Sequence, residues 1–137
     1  MIIIVDANIL FSALIKNGLT ANILVQENFD FYAPSYLLKE FAKYEQIILE
    51  KTKRSKKDFE EIINILQKVI NFVPKRLYSN FLLGAKNVCP DPKDMDYFAL
   101  ALKYDCSIWS NDKKLKEQDS VHIISTNELF EKIKKYK

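Results

Sequence analysis

The chain has 137 residues and 16.0 kDa, the size of one domain spanning 1–137. Its 48% hydrophobic and 28% charged residues supply enough apolar material to offset the entropy of ordering, which argues against disorder, and a net charge of +3 points only weakly to an anionic partner. No apolar run nears the roughly 18 residues of a membrane span, and Met1–Val5 is too short and lacks the basic flank of a signal peptide.

Residues 2–5 are a pure Ile/Val run, read as a buried strand that ends at Asp6. Ile9–Ile15 follows as a helix or turn. Thr20 is placed to cap a short helix through Glu27. Phe31–Ala33 reads as a second strand closed by Pro34, and Ser35 as the cap of a helix running to Glu50 with the stripe Leu37, Phe41, Tyr44 and Ile48. Ser55-x-x-Asp58 is a capping box opening a helix over Phe59–Ile70. Phe72-Val73 is a third strand before Pro74, and residues 77–87 are helical. Pro90 and Pro92 fix a loop. Asp94 then caps an apolar helix through Tyr104. Ser107–Trp109 and His122–Ile124 are the fourth and fifth strands, and Ser125-x-x-Glu128 is a second capping box before a final helix. Short apolar strands alternating with helices predict an α/β fold, an α/β/α sandwich around a parallel sheet of about five strands.

The two cysteines, Cys89 and Cys106, make neither a disulfide framework nor a zinc set, so a reducing cytoplasm is the expected compartment. His122 is the only histidine and lies in an apolar strand, which excludes hydrolases that need a histidine base. With only Gly18 and Gly84 in the chain there is no dinucleotide fingerprint and no P-loop.

The acids are more informative. Ligands of open parallel sheets bind beyond the carboxyl ends of the strands. Asp6 follows the first strand directly, and Asp112 follows the fourth after Ser110 and Asn111. Asp94 lies at a helix N-terminus on the loop side. Glu40, in the second turn of the Ser35 helix, sits roughly 60° off the centre of its apolar stripe. Each also has a plain reading: Asp94 as a cap, Asp112 as turn chemistry, Glu40 as surface, Asp6 as a solvated loop residue. Gathered in one crevice they repel, by roughly 4 kcal/mol for two unit charges about 4 Å apart at an effective dielectric near 20. A divalent cation removes that cost, and an all-oxygen donor set suits Mg²⁺ or Mn²⁺.

Four segments carry a resemblance: Val5-Asp6-Ala7-Asn8-Ile9-Leu10, Pro34–Glu40, Asp91–Ala101 (Asp-Pro-Lys-Asp-Met-Asp-Tyr-Phe-Ala-Leu-Ala) and Ile108–Lys113 (Ile-Trp-Ser-Asn-Asp-Lys). In order and spacing, across almost the whole chain, they resemble the PIN domain family. The resemblance implies a metal-dependent nuclease acting mostly on RNA, with Mg²⁺ or Mn²⁺ as cofactor. It makes Asp6, Glu40, Asp94 and Asp112 the acidic set and Asn8 and Ser110 its polar neighbours. Asp96 either assists the metal or lies on the other side of its helix. Many small prokaryotic members are VapC-like toxins, so an antitoxin partner and a homodimer are family expectations. The implied reaction is hydrolysis by a metal-activated water, leaving a 5′-phosphate and a 3′-hydroxyl.

Lys51, Lys53, Arg54, Lys56 and Lys57 form a basic run between helices, read either as solvated surface or as an RNA-tracking surface beside the acids. Lys132, Lys134, Lys135 and Lys137 form another. Tyr36, Tyr44 and Tyr97 are able to stack a base but read as core or interface, as does Trp109. A response-regulator-like domain is excluded because Phe72-Val73-Pro74-Lys75 ends without an acid. A dehalogenase-like phosphatase is excluded because Asp6-Ala7-Asn8 lacks the second Asp. The alternative that stands is a catalytically silent PIN-fold module binding RNA or protein.

Overall fold

The computed structural model describes residues 1–15 and 18–135. Ile2–Val5 forms β1, with Ile3, Ile4 and Val5 all buried. Burial at consecutive strand positions means that both faces are covered, because successive side chains point to opposite sides. The other strands are β2 (Asp30–Pro34), β3 (Ile70–Val73), β4 (Ser107–Trp109) and β5 (Ile123–Ile124). They form one sheet of order β3-β2-β1-β4-β5, parallel at every pairing. The fold class is thus the α/β fold expected, with β1 in the middle.

The strand order positions the site. The chain lays β2 and β3 on one side of β1, then returns to place β4 and β5 on the other. The reversal falls between β1 and β4, where Val5 is in register with Trp109. A parallel sheet opens a crevice at such a switch point, beyond the carboxyl ends of the two strands. The residues that follow β1 and β4 are Asp6 and Ser110-Asn111-Asp112.

Eight α-helices occur among the described residues: α1 (Ala7–Ile15), α2 (Leu19–Leu24), α3 (Tyr36–Lys43), α4 (Glu45–Thr52), α5 (Lys56–Val69), α6 (Leu82–Val88), α7 (Met95–Tyr104) and α8 (Thr126–Lys135). Tyr97 through Ala101 of α7 are buried, and α7 packs on β1, β2 and β4. The Trp109 ring is fully buried 5.6 Å from that of Phe31, and its Nε1–H donates to Thr126 Oγ1 at 2.9 Å, so the core reading of this tryptophan holds.

Both capping boxes behave as their residues dictate. Ser55 Oγ accepts from the Asp58 N–H at 3.1 Å. Ser125 and Glu128 satisfy one another reciprocally, Oγ to N–H at 3.2 Å and Oε1 to N–H at 3.3 Å. Other expected caps do not form. Thr20 lies inside α2, which follows Gly18. Ser35 makes no side-chain cap, and its N–H donates to Val73 O across to β3. The single helix expected over 35–50 is two, broken at Tyr44 (φ −100°, ψ 10°). The break brings the rings of both Phe41 and Tyr44 edge-on to Phe11, at 5.3 and 6.0 Å. Residues 75–81 are two 3-10 turns rather than helix, with α6 following. His122 lies just before β5, exposed, with Nδ1 3.0 Å from Ser107 Oγ. Lys137 lies outside the described residues. Among those described, no helix is long and apolar enough to cross a membrane.

Candidate active site

Asp6 is one of the few polar residues in the core, 5% exposed. Its Oδ1 accepts from the Ile9 N–H at 3.0 Å, which caps α1, and its own N–H donates to Trp109 O at 3.4 Å. Burial is the main cause that pushes the Asp6 carboxyl above its usual range. The Ser110 hydroxyl and the N–H groups of Ile9 and Asn8 oppose the rise, and the charge of Asp112 adds to it. Asn8 is exposed in the first turn of α1 and meets Asp6 through its backbone.

Asp94 precedes α7 without capping it. The 3-10 turn Pro92–Asp94 is capped by Asp91, whose Oδ1 accepts from the Lys93 N–H at 3.0 Å. The expected capping role therefore belongs to Asp91, and the Asp94 carboxylate turns to the crevice. Its pKa is pushed up to about 6, first by burial and then by the charges of Asp91, Asp6 and Asp112, with Lys93 opposing. Asp112 does double duty. Its Oδ1 accepts from the Lys114 N–H at 3.0 Å, capping the turn Lys113–Glu117, and its N–H donates to Ser110 Oγ at 3.1 Å. Asn111 pins this loop to α8 through two bonds with Thr126, at 2.8 and 2.9 Å.

Asp6, Asp94 and Asp112 are thus brought together electrostatically, and no lysine or arginine among the described residues forms an ion pair with any of them. The ion pairs among those residues are Lys116–Glu128 and Lys134–Glu131, both elsewhere. Glu40 is half-buried on α3, and its charge falls on Tyr36 rather than on Asp6 or Asp94. Asp96 is not among the charges acting on those acids either. Its Oδ2 accepts from the Tyr78 hydroxyl at 2.5 Å.

The donor chemistry fits a hard divalent cation: mutually repelling carboxylates with no cysteine or histidine among them. As the side chains stand, no group of three or more acids, cysteines or histidines among the described residues is gathered into a metal cage. Asp6 and Asp112 each commit Oδ1 to a cap, and the Ser110 hydroxyl also bears on the Asp6 carboxyl.

A tyrosine relay, not legible beforehand, props this crevice. The Ala7 N–H donates to Tyr97 Oη at 3.1 Å, and the Tyr36 hydroxyl donates to the same oxygen at 3.3 Å. Tyr97 has a buried ring with its hydroxyl at the site, and burial drives its pKa far up. The one hint in the sequence is its position three residues after Asp94, on the same helix face.

The basic run lies between α4 and α5, and one of its members has a tertiary partner. Arg54 Nη1 donates to Leu14 O at 2.5 Å, at the C-terminal end of α1. That is roughly 10 Å along the helix axis from the residue following Asp6. Lys51, Lys53, Lys56 and Lys57 are exposed around the α4–α5 junction.

A family model described as PIN domain matches residues 4–133. The chain belongs to the PIN domain family. No curated protein matches it in sequence. Among solved structures, this PIN domain is similar to a chain in the crystal structure of VapBC2 from Rickettsia felis bound to a DNA fragment from their promoter. The TM-score is 0.62 at 18% identity, covering 91% of this chain and 98% of that one. At such identity the likeness is one of fold.

Proposed function

We propose that this PIN domain is a Mg²⁺- or Mn²⁺-dependent endoribonuclease. The observation that carries the reading is the mutual charging of Asp6, Asp94 and Asp112 at the switch point, with Asp94 pushed up to about 6 and no cation among the described residues paired with any of the three. When bound there, the metal supplies charge neutralisation and an activated water for in-line attack on a phosphodiester. Asp6 is held for this role by the Ile9 N–H and steadied by Ser110, and Asp112 is presented by its own turn. Asp94 has to shed its proton before it can ligate, so metal binding strengthens as pH rises through about 6. Glu40 completes the acidic set through the Tyr36 side of the crevice.

His122 contacts Ser107, at the start of β4 and so at the opposite end of the sheet from the acids. With no histidine in reach, 2′-hydroxyl attack lacks its usual acid–base pair, and the expected products carry a 5′-phosphate and a 3′-hydroxyl.

Incubation of single-stranded RNA with the protein tests this. Cleavage in Mg²⁺ or Mn²⁺, its loss in EDTA and its loss in Asp6→Asn are expected. Full activity in EDTA and in that variant contradicts it. The competing reading is a silent PIN-fold module that binds RNA or protein, and it draws on the absence of a ready three-ligand cage among the described residues. Metal binding without cleavage of any RNA favours it. A cytoplasmic setting, an antitoxin-type protein partner and a homodimer belong to the same proposal, the partner by likeness in fold to the VapBC2 chain.

A further inference from the structure

A second cleft, of about 460 Å³, opens beside the acids and is lined by Tyr36, Lys39, Lys75, Tyr78, Lys93 and Asp96. Its three lysines come from segments distant in sequence: α3, the 3-10 turn after β3, and the 3-10 turn before α7. Two of these segments follow Pro34 and Val73, which pair at the carboxyl ends of β2 and β3, and the third carries Asp94, whose carboxyl feels Asp6 and Asp112 beyond the carboxyl ends of β1 and β4. The lysines are exposed. Among the described residues none of them is in an ion pair or over an aromatic ring. The single acid in the cleft, Asp96, already has the buried Tyr78 hydroxyl on it. The cleft therefore gathers three cations against one occupied anion.

It also adjoins the acidic crevice. Tyr36, 37% exposed, lines the cleft, and its hydroxyl meets Tyr97 Oη, which in turn takes the N–H of the residue after Asp6. Lys93 lines the cleft and adjoins Asp94, whose carboxyl feels its charge.

We infer that this cleft is a subsite for the backbone of single-stranded RNA, in which Lys39, Lys75 and Lys93 hold phosphates flanking the bond at the acids and Tyr36 offers a face to a base. The inference rests on the nuclease reading for which bond is cut, but the binding it describes is independent of cleavage. Unpaired lysines along a groove track a flexible phosphate backbone, and an aromatic face accepts any base, so the subsite is tolerant of sequence. The strand runs along the carboxyl edge of the sheet, from β1 across β2 towards β3.

Fluorescence anisotropy with a 5′-fluorescein 12-mer oligouridylate in EDTA tests this without catalysis. Lys39→Gln combined with Lys75→Gln is expected to weaken binding about tenfold and to flatten the dependence on salt, by roughly 0.7 in the log–log slope for each phosphate no longer neutralised. Lys39→Arg with Lys75→Arg is expected to restore both. Tyr36→Ala weakens binding without changing the slope. Lys51→Gln with Lys56→Gln, neither of which lines the cleft, leaves binding within about twofold. Unchanged melting and unchanged Mn²⁺ affinity in the lysine pair show that fold and metal site are intact. Binding that is unaffected by the lysine pair, or absent in the wild type, overturns the proposal. So does lysine-dependent capture of an oligoglutamate in preference to the RNA, which assigns the cleft to an acidic protein segment. Lysine-dependent RNA binding without cleavage in any metal leaves the subsite standing and removes the nuclease reading instead.

Discussion

Asp94 shows how a single side chain couples the site to stability. Its carboxyl titrates near 6 in the folded chain, against 3.8 when unperturbed. Between those values the folded state holds a proton that the unfolded state has released. Stability in the absence of divalent cations therefore falls as pH rises from about 4 to about 6 and levels off above. Asp94→Asn removes the loss. Once discounted for solvent screening, the gain is about 1 kcal/mol at pH 7.5 and near zero at pH 4, and thermal melts of both proteins in EDTA at the two pH values check it. Tyr97→Phe acts in the other direction. It strips the acceptor from the Ala7 N–H and the Tyr36 hydroxyl, costing about 1–3 kcal/mol, and it loosens the backbone beside Asp6. Denaturant unfolding reads the first effect and Mn²⁺ affinity the second.

At the scale of elements, α8 is secured at its start by the Ser125–Glu128 box and by Lys116, 2.6 Å from Glu128. These bonds hold the Glu128 carboxyl down to about 2, against 4.5 unperturbed. A depressed carboxyl contributes stability above its unfolded pKa and loses it as pH falls, so this contribution disappears between about pH 4.5 and 2. Ser125→Ala is expected to cost about 1 kcal/mol at neutral pH, seen as a lower midpoint in denaturant with an unchanged slope. Elements are legible in the sequence where the signal is local and redundant. The capping boxes at Ser55 and Ser125 and the apolar strand runs each combine two or more constraints within a few residues. Thr20, Ser35 and Asp94 mislead because each cap-forming residue stands alone: α2 starts before Thr20, the Ser35 N–H goes to Val73 O, and Asp91 caps the turn that ends at Asp94. The break at Tyr44 is equally hidden, since Phe11, the ring that both Phe41 and Tyr44 meet, lies on another helix.

For the whole molecule, strand order matters more than any one motif. Reversal of the chain between β1 and β4 brings Asp6 and Asp112, more than a hundred residues apart, to one crevice, and α7 delivers Asp94 to it from above the sheet. That convergence is legible because each acid closes or opens a recognisable element. The cationic cleft is not, because Lys39, Lys75 and Lys93 are single lysines in a chain with 21 basic residues, and only the fold gathers them. Conversely, the dense run at 51–57 looks like a nucleic-acid surface, and the fold ties one of its members, Arg54, to the C-terminal end of α1. The most direct measurement of the central claim, that Asp6, Asp94 and Asp112 form one metal centre, is a Mn²⁺ titration by calorimetry of the wild type, Asp6→Asn and Asp94→Asn at pH 5 and pH 7.5. The account predicts wild-type binding at least tenfold tighter at pH 7.5 than at pH 5, and binding weakened at least tenfold at pH 7.5 by either substitution. Mn²⁺ binding that is indifferent to both substitutions, or no Mn²⁺ binding by the wild type at either pH, would contradict it.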